Sequence, residues 1–136
     1  MARKPKRSDQ TSAPLELDDT TFQWNGGLYE EDTVAGLKRD ITRHIVSSLG
    51  SDHARRSAYN YYHGLALAVR DRMIDMWIKT QRSYYDDKSK RVYYLSAEFL
   101  IGRSLENNLI NLGLLQAAQQ VVSKLGLDIE AVFEQE

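Results

Sequence analysis

The residues best suited to chemistry lie between Lys90 and Gly113. There Arg91-Val92-Tyr93-Tyr94-Leu95-Ser96-Ala97, rich in Val and Tyr, leads directly into a carboxylate, Glu98, then bulky Phe99, Leu100 and Ile101 and a Gly102-Arg103 turn. A strand that ends in a turn before a helix is where α/β folds usually place a ligand-facing group. A carboxylate held among apolar neighbours has a partner or a ligand, because a bare buried charge is too costly. Two readings of Glu98 stand: a ligand-binding carboxylate, or a buried one paired with Arg103 or capping the next helix.

The other candidates are weaker. Tyr59, Tyr61, Tyr62, Tyr84, Tyr85, Tyr93 and Tyr94, interleaved with Arg and Lys, could clamp a nucleotide or sugar phosphate, although tyrosines in such patterns more often half-bury their rings in a core. His44, His53 and His63 show no i, i+4 pair that would set two imidazoles on one helix face, so no metal site is expected. No Walker loop, Gly-x-Gly-x-x-Gly, Gly-x-Ser-x-Gly or His-Glu-x-x-His is present. The chain has no cysteine, which removes thiolate catalysis and disulfides and fits a reducing, cytoplasmic setting. With 18 basic and 19 acidic residues it carries no net field that would select nucleic acid or an anionic membrane. No apolar run approaches the ~20 residues of a membrane span.

These side chains must be positioned by a mostly helical framework. Residues 1–14 are basic, contain both prolines and lack large apolar side chains after Met1, so a disordered tail is expected. Arg3, Lys4, Lys6 and Arg7 there could also serve as a nucleic-acid arm. Residues 15–31 read as an irregular lead-in around Gly26-Gly27. Val34, Leu37, Ile41, Ile45 and Leu49 then recur at steps of three and four and predict a helix from Asp32 to Leu49, ended by Gly50. Ser51 or Asp52 is expected to cap a second, very long helix. Its apolar face would run Tyr62, Leu65, Ala66, Val69, Met73, Met76 and Trp77, with Arg55, Arg56, Arg70, Asp71, Arg72, Asp75, Lys79 and Arg82 mostly facing water. A strand is expected at Arg91 to Ala97. Leu105, Leu109 and Leu112 mark a short helix, Leu115, Ala118, Val122 and Leu125 another, with Gly113 and Gly126 at their ends, and a third opens near Asp128. The fold class expected is therefore mainly α with one or two strands. A lone strand leaves its backbone groups unpaired, so either a partner chain supplies the neighbouring strands or the chain is the first part of a longer protein, the expectation favoured by its end inside a charged helix.

The same residues carry a resemblance. Arg91 to Arg103 resembles the Tyr-Leu-Ser-x-Glu-Phe-x-x-Gly-Arg signature of the α-glucan (glycogen and starch) phosphorylases, continued by Leu105, Asn107, Asn111 and Leu112. Val69-Arg70-Asp71, Trp77-Ile78-Lys79-Thr80-Gln81 and Tyr84-Tyr85 extend it upstream, and Leu125-Gly126-Leu127-Asp128 downstream, so that it covers residues 32–136. The resemblance implies the amino-terminal part of an α/β enzyme of the GT-B type, built from two Rossmann-like domains. Such an enzyme uses pyridoxal 5′-phosphate and inorganic phosphate to release α-D-glucose 1-phosphate from α-1,4-glucans such as glycogen, starch or maltodextrin. It places Glu98 in the glucosyl pocket and Leu100, Gly102 and Arg103 near the cofactor. Leu100 stands where animal members carry an aromatic residue, which implies a bacterial- or plant-type member.

At the end of the long helix, Lys79, Gln81, Arg82 and Tyr85 fall on the family's effector and dimer-interface positions. Gln81 and Tyr85 match, while Lys79 and Arg82 replace an Arg and a Gln, which weakens the case for AMP control. A homodimer, a cytoplasmic location and no nucleic-acid or membrane partner are implied for the parent. The cofactor lysine, the phosphate-binding residues and the Gly-x-Gly-Gly-Leu-Gly loop are absent from this chain, so no turnover is expected from it alone. The alternative is a stand-alone helical interaction or regulatory module.

Overall fold

The computed structural model describes residues 29, 32–52, 57–97 and 101–136. They form five helices: α1 (Val34–Ser47), α2 (Ala58–Asp86), α3 (Leu105–Asn111), α4 (Leu115–Lys124) and α5 (Ile129–Phe133). Apart from Tyr29, the expected tail and lead-in lie outside the described residues.

Helix α1 starts where Thr33 turns its hydroxyl oxygen back to accept from the Gly36 amide at 3.1 Å, satisfying a donor that the helix itself cannot use. Leu37, Ile41 and Ile45, spaced by one turn each, form its buried stripe. That stripe lies against α2 at Gly64, where an added Cβ would stand 2.8 Å from Ile45 Cγ1 and 3.1 Å from the Ile41 carbonyl oxygen. The two helices touch so closely because one residue there has no side chain. Leu37, Leu65, Leu109 and Val132 are 0% exposed, each worth about 1.5–3 kcal/mol relative to exposure in water.

Helix α2 is capped by Ser57, whose hydroxyl oxygen accepts from Asn60 N. The expected caps differ from this: Ser51 instead accepts from the Asn60 side-chain amide at 3.0 Å. The core side of α2 also differs from the expected one. Leu65 and Val69 are buried, but the line through Tyr61, Leu65 and Ala68 continues with Arg72 and Asp75, while Met73, Met76 and Trp77 are 41, 53 and 61% exposed. The helix has 29 residues, about 43 Å at the α-helical rise. No described residue between Asp75 and Ala97 is buried, so its second half runs beyond the neighbouring helices and its apolar side chains there have no core to enter.

Helices α3, α4 and α5 close the core from the other side. Contacts link α4 to α1 and α5, and α2 to both α3 and α5, and Leu105, Leu109, Leu114, Ala118, Val121, Val122, Val132 and Phe133 fill the space between them. Gly113 and Gly126 take φ of +70° and +77°, the left-handed backbone that ends α3 and α4 where the sequence placed their stops.

The expected strand is corrected. Residues 91–96 carry no regular structure, no strand forms among the described residues, and Val92, Tyr93, Tyr94 and Leu95 are 77–93% exposed. A run of Val and Tyr favours a pleated backbone only when a neighbouring strand takes its amides and carbonyls and a face is buried. Neither condition is met here, and the fold of the described residues is helical.

Candidate functional site

Of the residues singled out by sequence, Glu98 and Leu100 lie outside the described residues. Gly102 and Arg103 form an exposed turn ahead of α3, with Gly102 at φ +64° and nothing within 4 Å of where its Cβ would stand. Arg103 borders a cavity of about 300 Å³ between α3 and α5, beside Glu106, Asn107 and Glu136. Glu136 was not anticipated. Its carboxylate accepts from the Ser104 amide at 2.7 Å, the Ser104 hydroxyl at 3.1 Å and the Leu105 amide at 3.1 Å. Its partial burial works against ionisation, but those bonds and the Arg103 charge outweigh it and hold the carboxyl below the ordinary glutamate range. No local spacing announces a bond that spans 32 residues.

At the far end of α2 the structure brings together three of the four expected positions. Gln81, Arg82 and Tyr85 line a cavity of about 430 Å³ with Trp77 and Ile78, because steps of three and four place them on one face. Lys79 does not join them. Its ammonium pairs with Asp75 at 2.6 Å, which holds its pKa above the ordinary lysine value. Next to this cavity a groove of about 460 Å³ runs along Gln81, Tyr84, Lys90, Arg91 and Tyr93. The Arg91 guanidinium lies over the Tyr85 ring, 4.1 Å from its centre, and hydrogen bonding to Tyr85 and Tyr93 raises its pKa further. The interleaved tyrosines and cations of the sequence thus meet here on the surface. Tyr59 and Tyr62 instead set ring edges against His63, at 4.3 and 5.0 Å between ring centres.

A second polar cluster is buried between α1 and α2, where the sequence reading had most charges in water. Arg72, its side chain 2% exposed, approaches Asp40 Oδ2 at 3.0 Å, donates to Asp32 at 2.9 Å and to the Ala68 carbonyl at 2.9 Å, and stacks on Tyr29. The Asp40 oxygen is out of line for a hydrogen bond, so that attraction is Coulombic. Beside it His44 Nε2 meets Asp71 Oδ2 at 2.9 Å and Nδ1 meets Ser48 Oγ at 3.0 Å, while Arg43 reaches the same Asp71 oxygen at 3.0 Å. Hydroxyl, imidazole and carboxylate in this order have the composition of a nucleophilic triad. The described residues around it do not complete one: Arg43 shares the carboxylate, and the amides of Ser48, Leu49 and Ser51 are bonded to helix carbonyls, which leaves those three unable to stabilise an oxyanion. The cluster joins α1 to α2. Its signal was readable as spacing, since Arg72 and Asp75 continue the one-turn steps of Leu65 and Ala68. Among the described residues no group of three His, Asp or Glu side chains is placed to hold a metal.

No family model matches the chain. It is 46% identical over 108 residues to the liver form of human glycogen phosphorylase, an alignment covering 79% of this chain and 13% of that protein. It is 43% identical over 108 residues to the bovine liver form, again 79% of the chain and 13% of the relative. Against the mouse muscle form of glycogen phosphorylase it is 41% identical over 124 residues, 90% of this chain and 15% of that protein. The chain thus spans 13–15% of the length of these relatives. All three are mammalian and do not test the expected bacterial or plant likeness.

Proposed function

Since the chain belongs to the glycogen phosphorylase family, we propose that it is a structural and substrate-contacting part of an enzyme that releases α-D-glucose 1-phosphate from an α-1,4-glucan with inorganic phosphate. The observation that carries this reading is the 46% identity over 108 residues, a span that includes far more than one motif. Within it we assign Glu98 to the glucosyl pocket, where its carboxylate accepts from a sugar hydroxyl, and Leu100, Gly102 and Arg103 to the neighbourhood of the cofactor. Gln81, Arg82 and Tyr85 form, with Lys79 nearby, the effector or dimer-contact end of α2. The exposed Met73, Met76 and Trp77 support a homodimer, since an apolar stripe of this kind on a helix is usually covered. No described helix is long and apolar enough to cross a membrane, and the cytoplasmic setting proposed for the parent rests on the family and on the lack of cysteine.

The chain's own residues bind and orient; they do not carry out the transfer. Pyridoxal 5′-phosphate needs an amine on which to form its imine, and Lys38, Lys79, Lys88, Lys90 and Lys124 are all exposed on the surface. The described residues therefore do not fit as an anchor for that group, and no step is assigned through it. The isolated chain is accordingly expected to show no turnover with glycogen, phosphate and pyridoxal phosphate.

The decisive experiment grafts residues 32–136 into the human liver relative in place of its matching segment. The chimaera should release glucose 1-phosphate, and Glu98→Gln should lower its kcat/KM by about 10²-fold, the scale of losing a charged hydrogen bond to substrate. Full activity of the Glu98→Gln chimaera would refute the assignment of that carboxylate.

A further inference from the structure

The Gly102-Arg103 turn has little of its own to hold it in place. Ile101 is 77% exposed, and Gly102 adopts left-handed backbone in open space. The helix that follows does not cap itself either, because Ser104 makes no side-chain bond to the α3 amides. Its first free donors are taken from a distance, where both carboxylate oxygens of Glu136 accept from Leu105 N, at 3.3 and 3.1 Å, and one also accepts from Ser104 N at 2.7 Å. Glu136 can reach because α5 is seated in the core by Val132 and Phe133, 0 and 7% exposed. The clamp therefore ties the residue next to Arg103 to the packed interior.

We propose that Glu136 is a positioning residue, fixing the Gly102-Arg103 turn through Ser104 and Leu105. Its importance for the reaction rests on the reading given above, in which that turn lies beside the cofactor. A carboxylate suits this role because charge-assisted bonds to backbone amides are roughly twice as strong as neutral ones, and its two oxygens set the direction as well as the distance. The opposite charge of Arg103 adds to the hold.

Hydrogen exchange of the full chain tests the clamp directly. Glu136→Ala should speed exchange of the Ser104 and Leu105 amides by about tenfold or more, with Glu136→Gln intermediate. Trypsin should then cut faster after Arg103, while protection at Val121 and Val122 in α4 stays as in the wild type. Unchanged exchange at Ser104 and Leu105 would overturn the proposal. So would loss of protection throughout α4 and α5, which would show that Glu136 acts on general packing. In the chimaera described above, Glu136→Gln should lower kcat by about tenfold with the glucan KM within about twofold. If exchange rises but kcat does not change, Glu136 only caps a helix. An inactive wild-type chimaera would refute the parent reading, and the positioning role with it, while exchange still decides whether the clamp exists.

Discussion

Replacing Arg72 by Met while leaving Asp40 in place should be one of the most damaging single changes in the chain, and replacing both should be nearly harmless. The Arg72 and Asp40 side chains are 2 and 3% exposed and 3.0 Å apart. Without the guanidinium, the partner left to Asp40 is Arg43, 3.7 Å away and 47% exposed. Stranding one member of a buried ion pair costs about 3–5 kcal/mol. Arg43 places this case near the lower end, at about 3 kcal/mol by the same reasoning. Asp32, the other carboxylate on Arg72, is 60% exposed and can rehydrate, so its share is below about 1 kcal/mol. Asp40→Leu alone should cost about 2 kcal/mol, because Arg72 keeps Asp32 and the Ala68 carbonyl. The double variant, Arg72→Met with Asp40→Leu, removes both charges and should fall within about 1 kcal/mol of the wild type. The assay is urea unfolding of all four chains followed by far-ultraviolet circular dichroism at neutral pH. With a slope of about 2 kcal/mol per molar, Arg72→Met should lower the midpoint by about 1.5 M. A double variant as unstable as the two single losses combined would show that the pair is not coupled, and would refute the ion-pair basis of the α1–α2 contact.

Gly64→Ala should destabilise the chain by about 1–2 kcal/mol in the same assay: the ~1 kcal/mol that alanine gains in a helix is outweighed by overpacking against Ile45 and the Ile41 carbonyl. A stabilised variant would mean the helices do not touch there. Ser57→Ala should cost about 1 kcal/mol through its lost bond to Asn60 N, whereas Ser51→Ala should cost less, because Ser51 is not the cap. The Glu136 carboxyl is held below the ordinary glutamate range, so its contribution is present in full above that range and disappears as pH falls through the lower folded value. The Ser104 and Leu105 amide resonances should titrate with that depressed midpoint in the wild type and show no such step in Glu136→Gln; a wild-type midpoint at or above the usual glutamate value would contradict the clamp.

Most helices were legible because their signals are local. The spacing of Leu37, Ile41 and Ile45, the glycines at 113 and 126 and the helix start near Asp128 each depend on a turn or two of chain, and all reappear in the structure, where the Asp128 side chain accepts from the Glu130 amide at the head of α5. The side of α2 that faces the core was misread because Met73, Met76 and Trp77 form as regular an apolar stripe as the buried one. Only the positions of α1, α3 and α5 decide which stripe is covered. The run at 91–97 was misread for a related reason, since the preference of Val and Tyr for strands is a preference for a partner and a buried face that the described residues do not supply. The candidate site was legible in part: Gln81, Arg82 and Tyr85 share a face by spacing alone, but nothing in the spacing announced the stack of Arg91 on Tyr85 or the bonds from Glu136.

By itself, then, the sequence determined the helices, the ends of α3 and α4 at Gly113 and Gly126 and, through the extended match from Val69 to Asp128, the family to which the chain belongs. The tertiary structure alone decided which charges are buried, which apolar stripe stays exposed and what holds the Gly102-Arg103 turn. These last depend on groups 28 to 40 residues apart, as in the Arg43–Asp71, Arg72–Asp32 and Ser104–Glu136 contacts. Their energies arise from removing water between surfaces that meet only once the helices have packed.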